Sequence, residues 1–264
     1  FPMTTLHIIG NWKMNPKTSR EVEGFIREYT VRTKSIKNIA HSVCPPYVYL
    51  SLFQKNKKIV YGSQDVHNEK EGAFTGGVSA SMVKTLGASF SIIGHSEKRR
   101  DGDTNEIISQ KIESAMKAGM AVVLCVGEKK RDAGVDYLIS VKRDLEESLS
   151  RFPKSKLGSL TIAYEPVWAI GKNAVRQATP EESREMSVFI KKVLTDMYDK
   201  KGKDVPVLYG GSVSVENCES FLRNGGVEGL LVGRDSLSPV RFSKIVSKAS
   251  QIVSSLESAK KSKK

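Results

Sequence analysis

The sequence predicts a single (β/α)8 barrel. Eight short apolar runs alternate with longer segments of helical period, and no Gly-x-Gly-x-x-Gly turn follows the first run. The polar residues able to do chemistry gather at or just after the C-terminal ends of those runs. In a barrel these ends converge on one face, where active sites are built.

The predicted strands, in order, are 7–11, 38–43, 59–63, 89–93, 121–126, 160–165, 205–209 and 229–232. Each is a four- to six-residue stretch, mostly of apolar and β-branched residues, which suits a strand covered on both faces. Helical period places helices at 17–31, 105–118, 137–151, 181–200, 215–223 and 239–254. Thr179, Pro180 and Glu182 form a capping signature for the helix that follows 171–178. Strand-helix alternation argues for parallel βαβ units. No Pro/Gly/Ser-rich linker or repeat divides the 264 residues, so residues 4–256 read as one domain. Residues 257–264 read as a basic, disordered tail, and Phe1 and Pro2 precede Met3, which reads as the initiator.

Composition narrows the function classes. With 39% hydrophobic and 27% charged residues the chain falls among ordinary globular proteins. The net charge of +13 includes Lys260, Lys261, Lys263 and Lys264 in the tail. The remaining basic residues look scattered and lack interleaved aromatics, so a solvated basic surface is expected rather than nucleic-acid binding. Such a surface also attracts anionic phosphate substrates. No apolar run is long enough for a membrane span, and no signal-peptide pattern precedes the first motif. Cytoplasm is the expected location. Cys44, Cys125 and Cys218 lack metal-ligand spacing and read as reduced thiols, and His7, His41 and His67 have no companion ligands, so no metal is expected.

Individual residues suggest chemistry. Glu165 ends the sixth predicted strand beside an apolar stretch, a placement expected to raise its pKa and suit it to general-base work. His95 lies at the end of the fourth, and Asn11 and Lys13 close the first. An anchored cation there would stabilise negative charge, though a Schiff-base lysine is the alternative reading of Lys13. Gly210-Gly211-Ser212 and Gly233-Arg234 follow the seventh and eighth strands, where barrels often hold phosphate. Segment 171–178 reads as a loop able to close over substrate.

Together Asn11-Trp12-Lys13-Met14-Asn15, Gly72-Ala73-Phe74-Thr75-Gly76, Gly94-His95-Ser96-Glu97, the run 163–171 and Tyr209-Gly210-Gly211-Ser212-Val213 resemble the triose-phosphate isomerases, in order and spacing, over nearly the whole chain. The resemblance implies a cofactor-free isomerase interconverting glyceraldehyde 3-phosphate and dihydroxyacetone phosphate through an enediolate. It makes Glu165 the proton-shuttling base, His95 a neutral electrophile, and Lys13 and Asn11 stabilisers of the enediolate. Glu97 becomes a supporting acid. Gly171, Ser212, Gly233 and Arg234 become backbone donors to the phosphate. It also implies a homodimer joined through the loop 67–79, with Thr75 near the partner's site. Four departures stand out: a loop 171–178 about two residues long and lacking its second glycine, Gly77 for the usual Glu, a 98–103 segment about one residue short with Lys98 for Arg, and Arg234 for a second glycine. The rival readings are a phosphosugar aldolase working through Lys13, and a catalytically inactive barrel that acts as a binding module.

Overall fold

The computed structural model describes residues 6–131, 134–171 and 174–261, with side chains described as far as residue 259. Among these, eight strands form one parallel sheet: β1 (His7–Asn11), β2 (Ala40–Cys44), β3 (Val60–Tyr61), β4 (Phe90–Ile93), β5 (Ala121–Val126), β6 (Leu160–Tyr164), β7 (Val207–Tyr209) and β8 (Gly229–Val232). The strand order is β3-β2-β1-β8-β7-β6-β5-β4. A parallel bridge between Ser63 and Ser91 joins the two edges, so the sheet curls into a barrel. The helices are α1 (Ser19–Thr33), α2 (Leu50–Phe53), α3 (Ala80–Thr85), α4 (Ser96–Arg100), α5 (Asn105–Lys117), α6 (Asp136–Ser148), α7 (Pro180–Tyr198), α8 (Cys218–Asn224) and α9 (Pro239–Lys261).

Two apolar layers follow from strand alternation. Along β5, Val123 and Cys125 point into the barrel with Ile9, Cys44, Ile92, Ala163, Leu208 and Leu231. Their neighbours Val122, Leu124 and Val126 point outward against the helices, with Ile112, Leu145 and Ile190. A strand covered on both faces must be apolar throughout, which is why the runs are continuous rather than alternating. All three cysteines are free and buried. Among the described residues no helix is long and apolar enough to cross a membrane.

All eight predicted strands occur, with ends trimmed for local reasons. β7 starts at Val207 rather than 205 because Pro206 has no N–H to give a ladder. The helix expected from Val215 starts at Cys218: the N–H of Ser214 is taken by Asn217 Oδ1 and that of Val215 by Asp235 Oδ2. The capping box predicted for α7 is present, with Thr179 and Glu182 exchanging hydrogen bonds. One expectation needs correction at the C-terminus. The helix α9 runs unbroken to Lys261, so residues 257–261 extend regular structure instead of opening a disordered tail. Residues 262–264, and Phe1, Pro2 and Met3, lie outside the described residues.

Candidate active site

Sequence-distant side chains converge where the strands end. Asn11 closes β1, Lys13 follows it, His95 and Glu97 follow β4, and Glu165 follows β6. Lys13 Nζ lies 2.8 Å from Glu97 Oε1. His95 Nε2 lies 3.1 Å from Glu165 Oε1. The N–H of Ser96 donates to Glu165 Oε2 at 3.0 Å, and the N–H of Glu97 donates to His95 Nδ1 at 3.1 Å. The five residues thus form one connected polar cluster when the Asn11 side chain is added: its Oδ1 accepts from the N–H of Lys13 at 3.1 Å. Asn11, His95 and Glu165 are buried, whereas Lys13 and Glu97 stay about a third or more accessible.

Each position has a backbone reason. Lys13 sits at φ 53°, a left-handed conformation costly for a residue with a β-carbon. Gln64 holds that turn by donating through Nε2 to the carbonyls of Lys13 and Cys44, both at 2.8 Å. His95 is the N-cap of α4, its ring nitrogen in the role usually taken by Ser or Asp. Glu165 continues the β6 ladder by donating its N–H to Val126 at 2.8 Å. The backbone of Gly210 passes so close that a β-carbon there would stand 3.1 Å from Glu165 Cγ.

The electrostatics correct one expectation. Burial pushes the Glu165 carboxyl upward, as the sequence suggests, but His95, the Ser96 N–H and the Lys13 ammonium outweigh it and hold the pKa below the usual range. For His95, burial opposes a charged ring, and the Glu165 carboxylate more than offsets it, so the net direction is upward. That pull lasts only while Glu165 is ionised and in contact. Because Nδ1 accepts the Glu97 N–H, the proton of the neutral ring resides on Nε2, aimed at Glu165.

The loops after β6, β7 and β8, expected from the sequence to hold phosphate, lie beside this cluster. Gly171 has φ 77°. Ser212 Oγ donates to the carbonyl of Ala169 at 2.9 Å, tying the β7 loop to the segment after β6. Asp235 Oδ2 accepts from the N–H of Val215, tying the β7 loop to the β8 loop. Arg234 opens a short 3-10 turn (Arg234–Leu237) and is absent from the positive-φ residues, so it accommodates the position without left-handed backbone. Gly233 before it takes φ −84° and ψ −110°, outside the ordinary basins of residues with a β-carbon.

Sequence reasoning missed a second buried cluster. Glu128 Oε1 accepts from Tyr164 Oη at 2.8 Å and from Trp168 Nε1 at 2.7 Å, and its carboxyl is pushed up by burial. Trp168 in turn carries the longer loop. Its carbonyl accepts the Val175 N–H at 2.8 Å, and the Arg176 guanidinium lies 4.5 Å above its ring. Arg176 also makes a two-pronged contact with Glu182 in the first turn of α7, at 2.6 and 2.9 Å. Residues 172 and 173 of the loop lie outside the described residues. Near the other departures, Lys111 bridges Asp65 and Asp103 at 2.7 Å each, with Lys98 at 3.7 Å from Asp65. Gly77 donates to the Phe74 carbonyl at 2.8 Å, and a β-carbon on it would sit 3.0 Å from His67.

Comparison with known proteins places the chain among proteins of one kind. The family model described as triosephosphate isomerase matches residues 6–249. The triosephosphate isomerase of Carboxydothermus hydrogenoformans is 39% identical over 246 residues, spanning 90% of this chain and 96% of that protein. That of Aquifex aeolicus is 37% identical over 245 residues, covering 90% and 97%. The crystal structure of the triosephosphate isomerase from Bartonella henselae superposes with a TM-score of 0.82 at 32% identity, covering 92% of this chain and 98% of that one.

Proposed function

The chain belongs to the triosephosphate isomerase family, and from that premise we propose how its residues share the family reaction. The enzyme interconverts D-glyceraldehyde 3-phosphate and dihydroxyacetone phosphate, a step of glycolysis and gluconeogenesis. The difficulty is physical: a proton α to a carbonyl is weakly acidic, so a base needs donors aimed at the oxygen where charge develops.

Glu165 is the base that carries the proton between the two carbons. The observation that carries this reading is its convergence with buried His95 and half-buried Lys13 in one polar cluster. In the structure its carboxylate is held by Ser96 and His95. A substrate oxygen that takes the His95 Nε2–H removes one holding contact, and turning toward the carbon removes the Ser96 contact. Burial then dominates and raises the basicity of the carboxylate when it is needed. His95 donates to the developing oxyanion from its neutral form, and the Lys13 ammonium supplies positive charge beside it. Asn11 fixes the Lys13 turn, and Glu97 holds the ammonium in place. Gly171, Ser212, Gly233 and Arg234 grip the phosphate through backbone N–H groups. Closing the loop 171–178 keeps water from the intermediate, which would otherwise lose its phosphate.

The aldolase reading fits less well, because Lys13 faces a carboxylate and is partly accessible, whereas a Schiff-base lysine needs a desolvated neutral amine. A homodimer through the loop 67–79 is supported by Met14 at 94% exposure and Phe74 at 45%, apolar surface that a partner would cover. A cytoplasmic location is supported by the three free, buried thiols. The test is isomerisation of glyceraldehyde 3-phosphate, coupled to reduction of dihydroxyacetone phosphate, by the wild-type chain and Glu165→Ala. Loss of about 10²- to 10⁴-fold in turnover with the fold intact is expected. Near-wild-type turnover in the variant would overturn the assignment of the base.

A further inference from the structure

The basic residues that look scattered along the sequence collect at one end of the barrel. Between each helix and the next strand the chain turns at the end opposite the active site, in segments 34–39, 54–59, 86–89, 118–120, 149–159, 199–206 and 225–228. These carry eleven lysines and arginines against three acidic residues. Two of the three acids are already paired, Asp199 with Lys154 and Glu228 with Lys191. All eleven basic residues are exposed, including the triplets Lys55, Lys57, Lys58 and Lys200, Lys201, Lys203. The helix α9 ends at the same place: Asn38 donates to the Ser250 carbonyl at 3.0 Å and to Ser254 Oγ at 3.1 Å. Seven further helical residues carry it about 10 Å past that contact, at 1.5 Å each.

We propose that this end of the barrel is a docking face for an anionic phospholipid surface, on which the enzyme sits with its active site turned away. Three observations favour a lipid surface over a nucleic acid. Ten of the eleven basic residues are lysines, point charges suited to the diffuse field of headgroups; Arg151 is the exception, and the bidentate forks that read phosphates and bases are otherwise missing. The aromatics within these segments offer no platform for base stacking, since Phe152 is buried. The charges fall in two blocks, before β2 and β3 and before β6 and β7, on opposite sides of the barrel end, so together they span a broad surface. Attraction of about 1 kcal/mol per lysine near an anionic leaflet makes two triplets sufficient for measurable, salt-sensitive binding. Catalysis is unaffected, because the strand ends that hold His95 and Glu165 lie at the opposite rim.

The experiment is sedimentation of the full-length protein with extruded vesicles of phosphatidylcholine containing about a third phosphatidylglycerol, and with phosphatidylcholine alone, at about 0.1 M and about 0.5 M salt. Binding to the anionic vesicles at the lower salt only, with unchanged isomerase activity, is the expected result. Two triple variants, Lys55→Gln/Lys57→Gln/Lys58→Gln and Lys200→Gln/Lys201→Gln/Lys203→Gln, should each weaken partitioning at least about tenfold. A control removes the same charge away from this end, at Arg20 in the first turn of α1 and at Lys142 and Arg143 midway along α6 (Arg20→Gln/Lys142→Gln/Arg143→Gln), and should leave partitioning within about twofold. No binding to anionic vesicles, or equal loss in the control, would overturn the proposal. So would a random DNA duplex that binds as tightly as the vesicles at the same salt.

Discussion

Replacing Trp168 by Phe isolates the buried contact that anchors the loop over the site. The indole Nε1 donates to Glu128 Oε1 at 2.7 Å, and Glu128 is only 1% exposed. The substitution removes one of two donors to this atom, leaving Tyr164 Oη at 2.8 Å. Loss of a hydrogen bond to a buried carboxylate costs about 1.5–3 kcal/mol. Lost apolar contact adds about 1 kcal/mol. The pH dependence follows from the direction of the Glu128 shift. Its folded pKa is raised, so the folded state prefers the protonated carboxyl, and the penalty for keeping it ionised grows as pH rises above the unfolded value. Removing a donor raises the folded pKa further. The variant is therefore predicted to lose more stability near pH 7 than near about pH 4, close to the unfolded carboxyl value, where the folded and unfolded states differ least in ionisation cost. Urea unfolding followed by far-UV circular dichroism, at one fixed protein concentration, gives both values. Tyr164→Phe removes the other donor, so the double variant should be non-additive. Equal losses at the two pH values, or a loss below about 1 kcal/mol near pH 7, would refute the coupling.

Further outcomes follow from the geometry. Gly210→Ala places a β-carbon 3.1 Å from Glu165 Cγ and should lower kcat about tenfold or more while changing the melting temperature little, as steady-state kinetics beside a thermal melt would show. Lys13→Met strips the ammonium beside Glu97 and should lower kcat/KM by about 10²–10³, with part of the loss in KM; unchanged kinetics would remove Lys13 from the site. Met14→Asp and Phe74→Asp place charge on the apolar surface assigned to the subunit contact and should shift the protein to monomers in sedimentation velocity, with no shift arguing for another interface.

The fold was largely legible because a parallel barrel imposes continuous apolar runs at regular intervals, and residues such as Val122–Val126 have no other place to go. The strand-end rule then located Asn11, Lys13, His95 and Glu165 without any contact information. Three helices were not anticipated. Those at Leu50–Phe53, Ala80–Thr85 and Ser96–Arg100 are too short for helical period to register, and the last is capped by a histidine. Gln64 was invisible because an amide in a loop carries no chemical signature until its partners, Lys13 and Cys44, are seen. The pairing of Glu128 with Trp168 spans forty residues, and the direction of the Glu165 shift depends first on its contact with His95, seventy residues away, and then on the Ser96 N–H, contacts that form only when the strand ends meet. The gathering of lysines at one barrel end was equally hidden, since their separation along the chain is undone only by closing the barrel.

The account rests on Glu165 moving a proton between substrate carbons that His95 and Lys13 make acidic. Turnover of dihydroxyacetone phosphate in deuterium oxide, followed by NMR for deuterium at the reacting carbon, observes that step itself. Wild type is predicted to incorporate solvent deuterium readily, and Glu165→Ala to lose incorporation and isomerisation together by at least about 10²-fold. Deuterium entering the substrate at an undiminished rate in folded Glu165→Ala would contradict the account, because another group would then be the base.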